Sequence, residues 1–352
     1  YLNRYGVLTG KNIVITTNND SVYQTAIELH EAGSKVTILD SRKDININLP
    51  KEIELHLETL PLSINGSKKI ESLDVCKVND KTHKNTIICD QVLVSGGWSP
   101  IVHLVSHRGI KPVWNEDNLC FVPGVIKENI TVVGSARGIW NTDDCVESGI
   151  VGANEAMNTL GIDKKEISFP SVGGWSNPIN ALYEVKSNKF PSKSFIDFQH
   201  DVTADDVRLA HREGFVSVEH LKRYTTLGMA NDQGKMGNII GLSLMAEQLD
   251  KTIPEVGTTV FRPPYTPVPI GALTGRNVDK HFRPLRVTPM HQWNIDHGAK
   301  MIDVGLYQRP WYYPQNNETL SDSYIREATI VRKTVGICDV TSLGKISIQG
   351  PD

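Results

Sequence analysis

Four stretches of the sequence carry side chains whose types and spacing could hold or transform a ligand. The first is the turn Thr17-Asn18-Asn19-Asp20-Ser21-Val22, between a short β-branched run at 13–16 and a helix-like stretch at 21–32. Strand, turn, helix and second strand (35–39, ending at Asp40) in that order is the sequence form of a dinucleotide-binding βαβ unit. A working turn of this kind needs three glycines: one for the tight bend, one for backbone approach to the pyrophosphate, one for close helix packing. Here those positions hold Thr17, Asn19 and Val22, and Asp20 adds a repelling charge at the helix start. The expectation is a fold that keeps its shape but has lost its ligand at this turn, with Asp20 or Ser21 as the helix cap. Asp40 could accept a ribose hydroxyl; Arg42 could equally pair with it.

The second stretch, Ile130-Thr131-Val132-Val133-Gly134-Ser135-Ala136-Arg137-Gly138, reads as a strand followed by small residues and a helix, which would place backbone N–H groups where they can meet a nucleotide. The third runs from Arg223 to Lys235. Arg223, Thr225, Thr226, Gln233, Gly234 and Lys235 supply cationic groups, hydroxyls and a glycine in a short span, against the competing reading of a solvated helix–loop–helix surface. The fourth is His291, which could act as a base if a pocket surrounds it and is otherwise structural. No residue is assigned as catalytic or as a metal ligand.

The elements that must position these groups follow from pattern. Further strands are expected at 52–57, 87–94 and 130–133; the first two flank 72–80 in the manner of the antiparallel insert of two-dinucleotide flavoproteins. The run Val94-Ser95-Gly96-Gly97-Trp98-Ser99-Pro100 is a strand ending in a glycine turn. Residues 161–192 mix Gly, Pro, Ser and Asn as a linker, with Gly173-Gly174-Trp175 and Asn177-Pro178 as turn signals. A helical block follows at 193–255: Thr203 with Asp206 makes an imperfect capping box, Gly214 a stop, Ser217 a cap for a short helix through Tyr224, and 238–249 another helix. From about Ile253 the texture turns to proline-rich strands and turns, including Arg262-Pro263-Pro264-Tyr265, with a last helix at 321–335.

Composition bounds the function. Among 352 residues, 37 Lys and Arg against 40 Asp and Glu give a net charge of −3 with the basic residues scattered, so a nucleic-acid partner is not expected. No apolar run approaches the roughly 20 residues that span a bilayer, and a cytoplasmic location is expected. Cys76, Cys89, Cys120, Cys145 and Cys338 are far apart and form no C-x-x-C pair, so buried free thiols are expected. A start at Tyr1 and an end just after the strand-like Lys345-Ile346-Ser347-Ile348 suggest an internal piece of a longer chain.

Several motifs together resemble the alpha subunits of heterotetrameric sarcosine oxidases. They include Tyr1-Leu2-Asn3-Arg4-Tyr5-Gly6-Val7, the 17–21 turn, 94–100 and Asp197-Phe198-Gln199-His200-Asp201-Val202-Thr203. The resemblance is strongest through Ser217-Val218-Glu219-His220-Leu221-Lys222-Arg223-Tyr224-Thr225-Thr226, Asp232-Gln233-Gly234-Lys235 and Pro254-Glu255-Val256-Gly257-Thr258-Thr259, and weakest at about 41–90. It implies an α/β fold with a two-dinucleotide-binding flavoprotein-like (Rossmann) domain at 1–160, whose N-terminal part is missing. A linker would follow at 161–192, a small helical domain at 193–255, and the start of a glycine-cleavage T-protein-like α+β domain at 256–352. The last of these resembles that family at Thr288-Pro289-Met290-His291, Gly298-Ala299-Lys300-Met301 and Val335-Gly336-Ile337-Cys338-Asp339-Val340-Thr341.

The resemblance further implies a complex with beta, gamma and delta subunits that oxidises a small-molecule substrate, sarcosine, to glycine. FAD would sit on beta, FMN between alpha and beta with a covalent link to a beta histidine, and electrons would reach oxygen. The methyl carbon would pass to tetrahydrofolate at a site mostly beyond the chain end, and NAD would be bound without acting as redox partner. Ser135, Ala136, Trp140 and Thr142 look like the family's second contribution to the NAD site, and Arg223, Thr225, Thr226, Gln233, Gly234 and Lys235 like a site for the flavin phosphate and ring edge. Related amine oxidisers carry a [2Fe–2S] cluster in the small domain; residues 193–255 contain no cysteine, so that role is excluded. The piece alone is not expected to be active. A related secondary-amine oxidase or dehydrogenase subunit and a non-catalytic assembly scaffold are the alternatives.

Overall fold

The computed structural model describes residues 1–126, 129–173, 178–261, 263–276, 278–281 and 283–351. The turn signals at 174, 175 and 177, and Arg262 of the proline-rich run, lie outside the described residues. The chain divides into two compact units, Tyr1–Pro267 and Val268–Asp352.

The first unit opens with a short helix, α1 (Leu2–Tyr5), then β1 (Asn12–Thr17), a 3-10 turn at Asp20–Val22, α2 (Tyr23–Glu31) and β2 (Lys35–Asp40). β1 and β2 are buried on both faces apart from their first residues, which is why their β-branched runs do not alternate with polar residues. They pair in parallel, Ile13 opposite Val36, and with β3 (Glu54–His56) and the later β7 (Gln91–Ser95) form a parallel sheet in the order β3-β2-β1-β7. Val22, Tyr23, Ala26 and Leu29 place α2 on one face of that sheet against Ile13, Ile15, Val36 and Ile38. Between β3 and β7, β4 (Thr59–Gly66), β5 (Ile70–Lys77) and β6 (Asp80–Ile88) form the expected antiparallel insert. The strand expected at 87–94 is in fact two, because the Asp90 carboxylate turns the chain by accepting the Lys11 and Asn12 N–H groups.

α3 (His103–Ser106), the hairpin β8 (Val113–Asn115) and β9 (Cys120–Val122), and the long α4 (Thr142–Thr159) follow. The expected strand at 130–133 does not form. Thr131 and Val133 pack so closely on α4 that a Cβ at Gly152 would sit 2.8 Å from Val133, but no neighbouring strand among the described residues gives the segment a ladder. The expected linker carries no helix or strand between 162 and 192 among its described residues, yet it is stapled down. Leu182, Val185 and Phe190 pack on Leu60, Leu62 and Cys76, and Ser187 and Ser192 donate to the Lys81 and Leu62 carbonyls.

The helical part comprises β10 (Phe195–Asp197), β11 (Val202–Thr203), α5 (Ala204–Arg212), α6 (Val218–Thr225), α7 (Asn238–Gln248) and α8 (Ile253–Val256). The capping box at Thr203 and Asp206 is complete in both directions, whereas Ser217 stands at the N-cap of α6 without a capping bond from its hydroxyl. Val207, Ala210, Leu221, Leu242 and Met245 form the core, joined by Phe121 from β9. Cys76, Cys89 and Cys120 are buried free thiols, and burial pushes Cys120 up to about 12; Cys145 is half-buried and Cys338 exposed, against the expectation of burial.

The second unit holds α9 (Ile270–Thr274), β12 (Arg286–Val287), α10 (His291–Asp296), β13 (Lys300–Val304), β14 (Tyr307–Tyr312) and α11 (Leu320–Lys333), its sheet ordered β12-β14-β13. α11 is capped by a Thr319/Asp322 box. Among the described residues no helix is long and apolar enough to cross a membrane.

Candidate functional site

The turn after β1 is closed by its own side chains. Asn19, not Asp20 or Ser21, is the cap: its carboxamide oxygen accepts the Ser21 N–H at 3.0 Å while its amide donates to the Ser95 carbonyl at 3.2 Å. The Arg42 guanidinium, 5% exposed, lies 2.7 Å from both Asp20 and Asp40, and Tyr23 donates to Asp40 at 2.7 Å. Burial alone would pull Arg42 down, but Asp40 and Asp20 outweigh it and hold it above its ordinary range. Asp40 is thereby occupied, and a ribose hydroxyl would have to displace a buried ion pair.

The crevice above this turn is filled by residues 178–180. Arg42 donates to the Pro178 carbonyl at 2.9 Å, Asn18 and Asn180 exchange two hydrogen bonds at 2.6 and 3.1 Å, and Ile179 lies 2.6 Å from the place a Cβ would take at Gly97. Dinucleotides bind in this position, outside the carboxyl ends of parallel strands. The geometry does not fit one here.

At the second candidate, Gly134–Arg137 forms a 3-10 turn before α4. Ser135 and Thr142 are exposed, and Ala136 and Trp140 half-buried. Asn141 caps α4 by accepting from Asp143 and Asp144 N–H, so the first turn is already satisfied and carries two acids. That end of the helix does not suit a pyrophosphate. Trp140, 6.4 Å from Trp98 between ring centroids, differs: its enclosed indole N–H has no hydrogen-bond partner among the described residues, which fits a ligand acceptor.

The third candidate lies in a cavity of about 210 Å³. Arg223 and Gln233 line it, together with Lys222, Asn238, Tyr265 and others from Glu219 to Phe261. Arg223 comes from the last turn of α6, and Asn238 opens α7. The intervening loop is tight: Gly228 and Gly234 have φ of 75° and 73°, and a Cβ on either would meet the Asn238 carboxamide at 2.5 or 2.2 Å. Gly234 is therefore needed for the bend. Arg223 bonds Glu219 at 2.8 Å on an exposed helix face, worth about 0.3–0.5 kcal/mol, so its redirection to a ligand costs little. Thr225 turns inward to the Leu221 carbonyl, Thr226 makes the left-handed end of α6, and Lys235 lies 3.9 Å over the Tyr265 ring. The structure thus brings Arg223 and Gln233 to the cavity, keeps Thr226 and Gly234 in the loop beside it, and commits Thr225 and Lys235 to other contacts. Sequence reading missed Asn238 and Tyr265; the Gly237-Asn238 helix start was a readable signal, whereas Tyr265 lay in a proline-rich run with none.

In the second unit, His291 begins α10 with Nδ1 enclosed and without a hydrogen-bond partner among the described residues, three residues from Asn294. Asn294, 4% exposed, accepts from the Tyr313 hydroxyl at 2.7 Å while its amide nitrogen has no partner among the described residues. Two buried polar groups without partners are donors or acceptors prepared for a ligand or water.

Comparison with known proteins gives these sites a context. Residues 191–276 match the sarcosine oxidase A3 domain and residues 290–352 the GCVT N-terminal domain. Over its whole length the chain is 40% identical to sarcosine oxidase subunit alpha of Rhizobium meliloti and 34% identical to that of Corynebacterium sp. strain P-1, spanning 36% and 38% of those proteins. In fold it is similar to an L-proline dehydrogenase structure from P. horikoshii, with a TM-score of 0.54 at 18% identity, covering 77% of this chain and 51% of that one. The cavity of Arg223 and Gln233 lies within the A3 match, and His291 and Asn294 within the GCVT match. By sequence along its entire length and by both domain matches, the chain belongs to the sarcosine oxidase alpha-subunit family.

Proposed function

We propose that the chain serves in a sarcosine oxidase complex, converting sarcosine to glycine with FAD and FMN carrying electrons to oxygen and tetrahydrofolate accepting the methyl carbon. The observation that carries this reading is the cavity at the α6–α7 loop. At about 210 Å³ it is smaller than the roughly 300–1,000 Å³ that encloses a whole drug-sized ligand. It suits one end of a cofactor whose remainder is covered by a partner such as the beta subunit. Arg223 would pair with the phosphate, Gln233 would bond a ring or ribityl edge, and Gly234 would let the backbone approach. Thr225, Thr226 and Lys235 would shape the loop around them. FMN, when bound, supplies the capacity to pass electrons singly or in pairs; this chain's residues bind and orient it.

NAD would meet this chain at Trp140, with Ser135, Ala136 and Thr142 nearby, and tetrahydrofolate at Asn294 and His291. The beta, gamma and delta subunits are the proposed partners and the cytoplasm the proposed location.

The test uses the full-length subunit assembled with its partners, carrying Arg223→Ala or Gln233→Ala. Protein-linked flavin is read by fluorescence on a denaturing gel, and FAD is counted after release. Loss of linked flavin with FAD retained supports the assignment; linked flavin at the wild-type level in both variants rejects it.

A further inference from the structure

One wall of the cavity is built around a single ring. Tyr265, 7% exposed, takes the Lys235 ammonium 3.9 Å from its ring centroid, and its own carbonyl accepts from the same ammonium at 3.0 Å. Lys235 also donates to the Asp232 carbonyl at 3.2 Å, which ties the loop to this wall. His103, from α3 in the α/β part, stacks on the Tyr265 ring with centroids 4.5 Å apart and planes at 27°, and Phe261 meets it edge-on at 5.1 Å. Phe261 and Tyr265 both face the cavity.

The charges on this stack are consistent with a fixed arrangement. A cation over an aromatic face is attracted by the ring quadrupole; a second cation on the same ring would be repelled by the first. Burial lowers the His103 pKa, and His107 and Lys235 lower it further, so a charged imidazole is disfavoured on the Tyr265 ring. Its Nδ1 is enclosed without a hydrogen-bond partner among the described residues, so the contact is made by the ring face rather than by a hydrogen bond.

We propose that His103 and Lys235 are positioning residues that act on the bound cofactor through Tyr265, holding the aromatic wall of the cavity at a fixed tilt. This rests on the assignment of the cavity to FMN. It gives Lys235 a task other than direct contact with phosphate, and it gives α3, an element of the α/β part, a direct hold on the cofactor pocket.

The test uses the assembled complex with full-length alpha subunit. Linked flavin and its visible circular dichroism are measured for Lys235→Met, Lys235→Arg, His103→Ala and His103→Phe. Lys235→Met and His103→Ala are expected to change the flavin dichroism and lower linked flavin by roughly two- to five-fold, the change associated with one exposed cation–π contact. Lys235→Arg and His103→Phe, which keep the cation and the stacked ring, are expected to restore both. If His103→Ala fails to assemble, the Lys235 pair decides alone. Wild-type dichroism and flavin content in Lys235→Met overturn the proposal. Should Arg223→Ala and Gln233→Ala also leave linked flavin intact, the FMN assignment itself fails; if either loses it and Lys235→Met does not, the positioning role alone fails.

Discussion

Replacing Arg42 by methionine removes a guanidinium while keeping most of the side-chain volume, and its cost can be worked from the contacts it leaves behind. Arg42 makes ion pairs at 2.7 Å with Asp20 and with Asp40, and a 2.9 Å bond to the Pro178 carbonyl. Asp40 is fully buried and would keep the Tyr23 hydroxyl as its remaining side-chain partner. Removing one member of a buried ion pair destabilises by about 3–5 kcal/mol, because the other charge is left uncompensated. Arg42→Met should therefore lower stability by about that amount in equilibrium urea unfolding followed by circular dichroism. Adding Asp40→Asn should recover part of the loss, with a coupling of roughly 0.5–3 kcal/mol. The same variant should expose the strap: a protease should cut near Pro178–Asn180 sooner than in the wild type. A loss below about 1 kcal/mol, the scale of a solvated surface pair, would refute the reasoning that this cluster seals the crevice.

Three further expectations are independent of that cluster. Asp74, buried, has its carboxyl lowered from 3.8 to about 2, chiefly by Lys84 and then Thr86. A depressed folded-state pKa contributes stability that is present above the unfolded value and is lost as pH falls from about 4 towards 2. Because Lys84 is half-exposed, the contribution is discounted to about 1–2 kcal/mol, and Asp74→Asn should flatten the acid limb of the stability profile in that window. Gly234→Ala forces a side chain into φ of 73° and against Asn238, so it should cost about 1–3 kcal/mol in thermal or urea unfolding and remove linked flavin; wild-type flavin content would contradict the tight-loop account. Thr203→Ala removes the cap of α5 and should destabilise by about 0.5–2 kcal/mol, whereas Ser217→Ala, whose hydroxyl makes no capping bond, should change unfolding by less.

What could be read from sequence was local. The β-branched runs of β1 and β2, the helix between them and the Thr203 box depend on residues a few positions apart, and pattern exposes them. The loss of glycine at the 17–22 turn was also legible, since a side chain at those positions excludes phosphate whatever else surrounds it. What closes the crevice was not legible. Asn18 and Asn180 are 162 positions apart, and nothing in a Ser- and Asn-rich linker marks residues 178–180 as a structural plug. The strand expected at 130–133 had the right composition but no ladder partner among the described residues, which is a tertiary condition. At the cavity, Arg223 and Gln233 were identifiable by type, as was Gly234 in the loop beside it. Tyr265 was hidden because proline-rich texture masks a buried aromatic, and His103 because its contact with Tyr265 joins distant parts of the chain. Lys235 shows the opposite limit: its charge suggested direct phosphate contact, but an aromatic face took it first.

The central claim is that the loop between α6 and α7 holds FMN. A density map of the assembled complex, at a resolution that shows the flavin phosphate, tests it most directly. The account predicts that phosphate at about 2.7–3.0 Å from the Arg223 guanidinium, the distance of a charge-assisted hydrogen bond, with the flavin bordered by Gln233 and Tyr265. A flavin phosphate bound elsewhere in the complex, with Arg223 still paired to Glu219 and facing solvent, would contradict it.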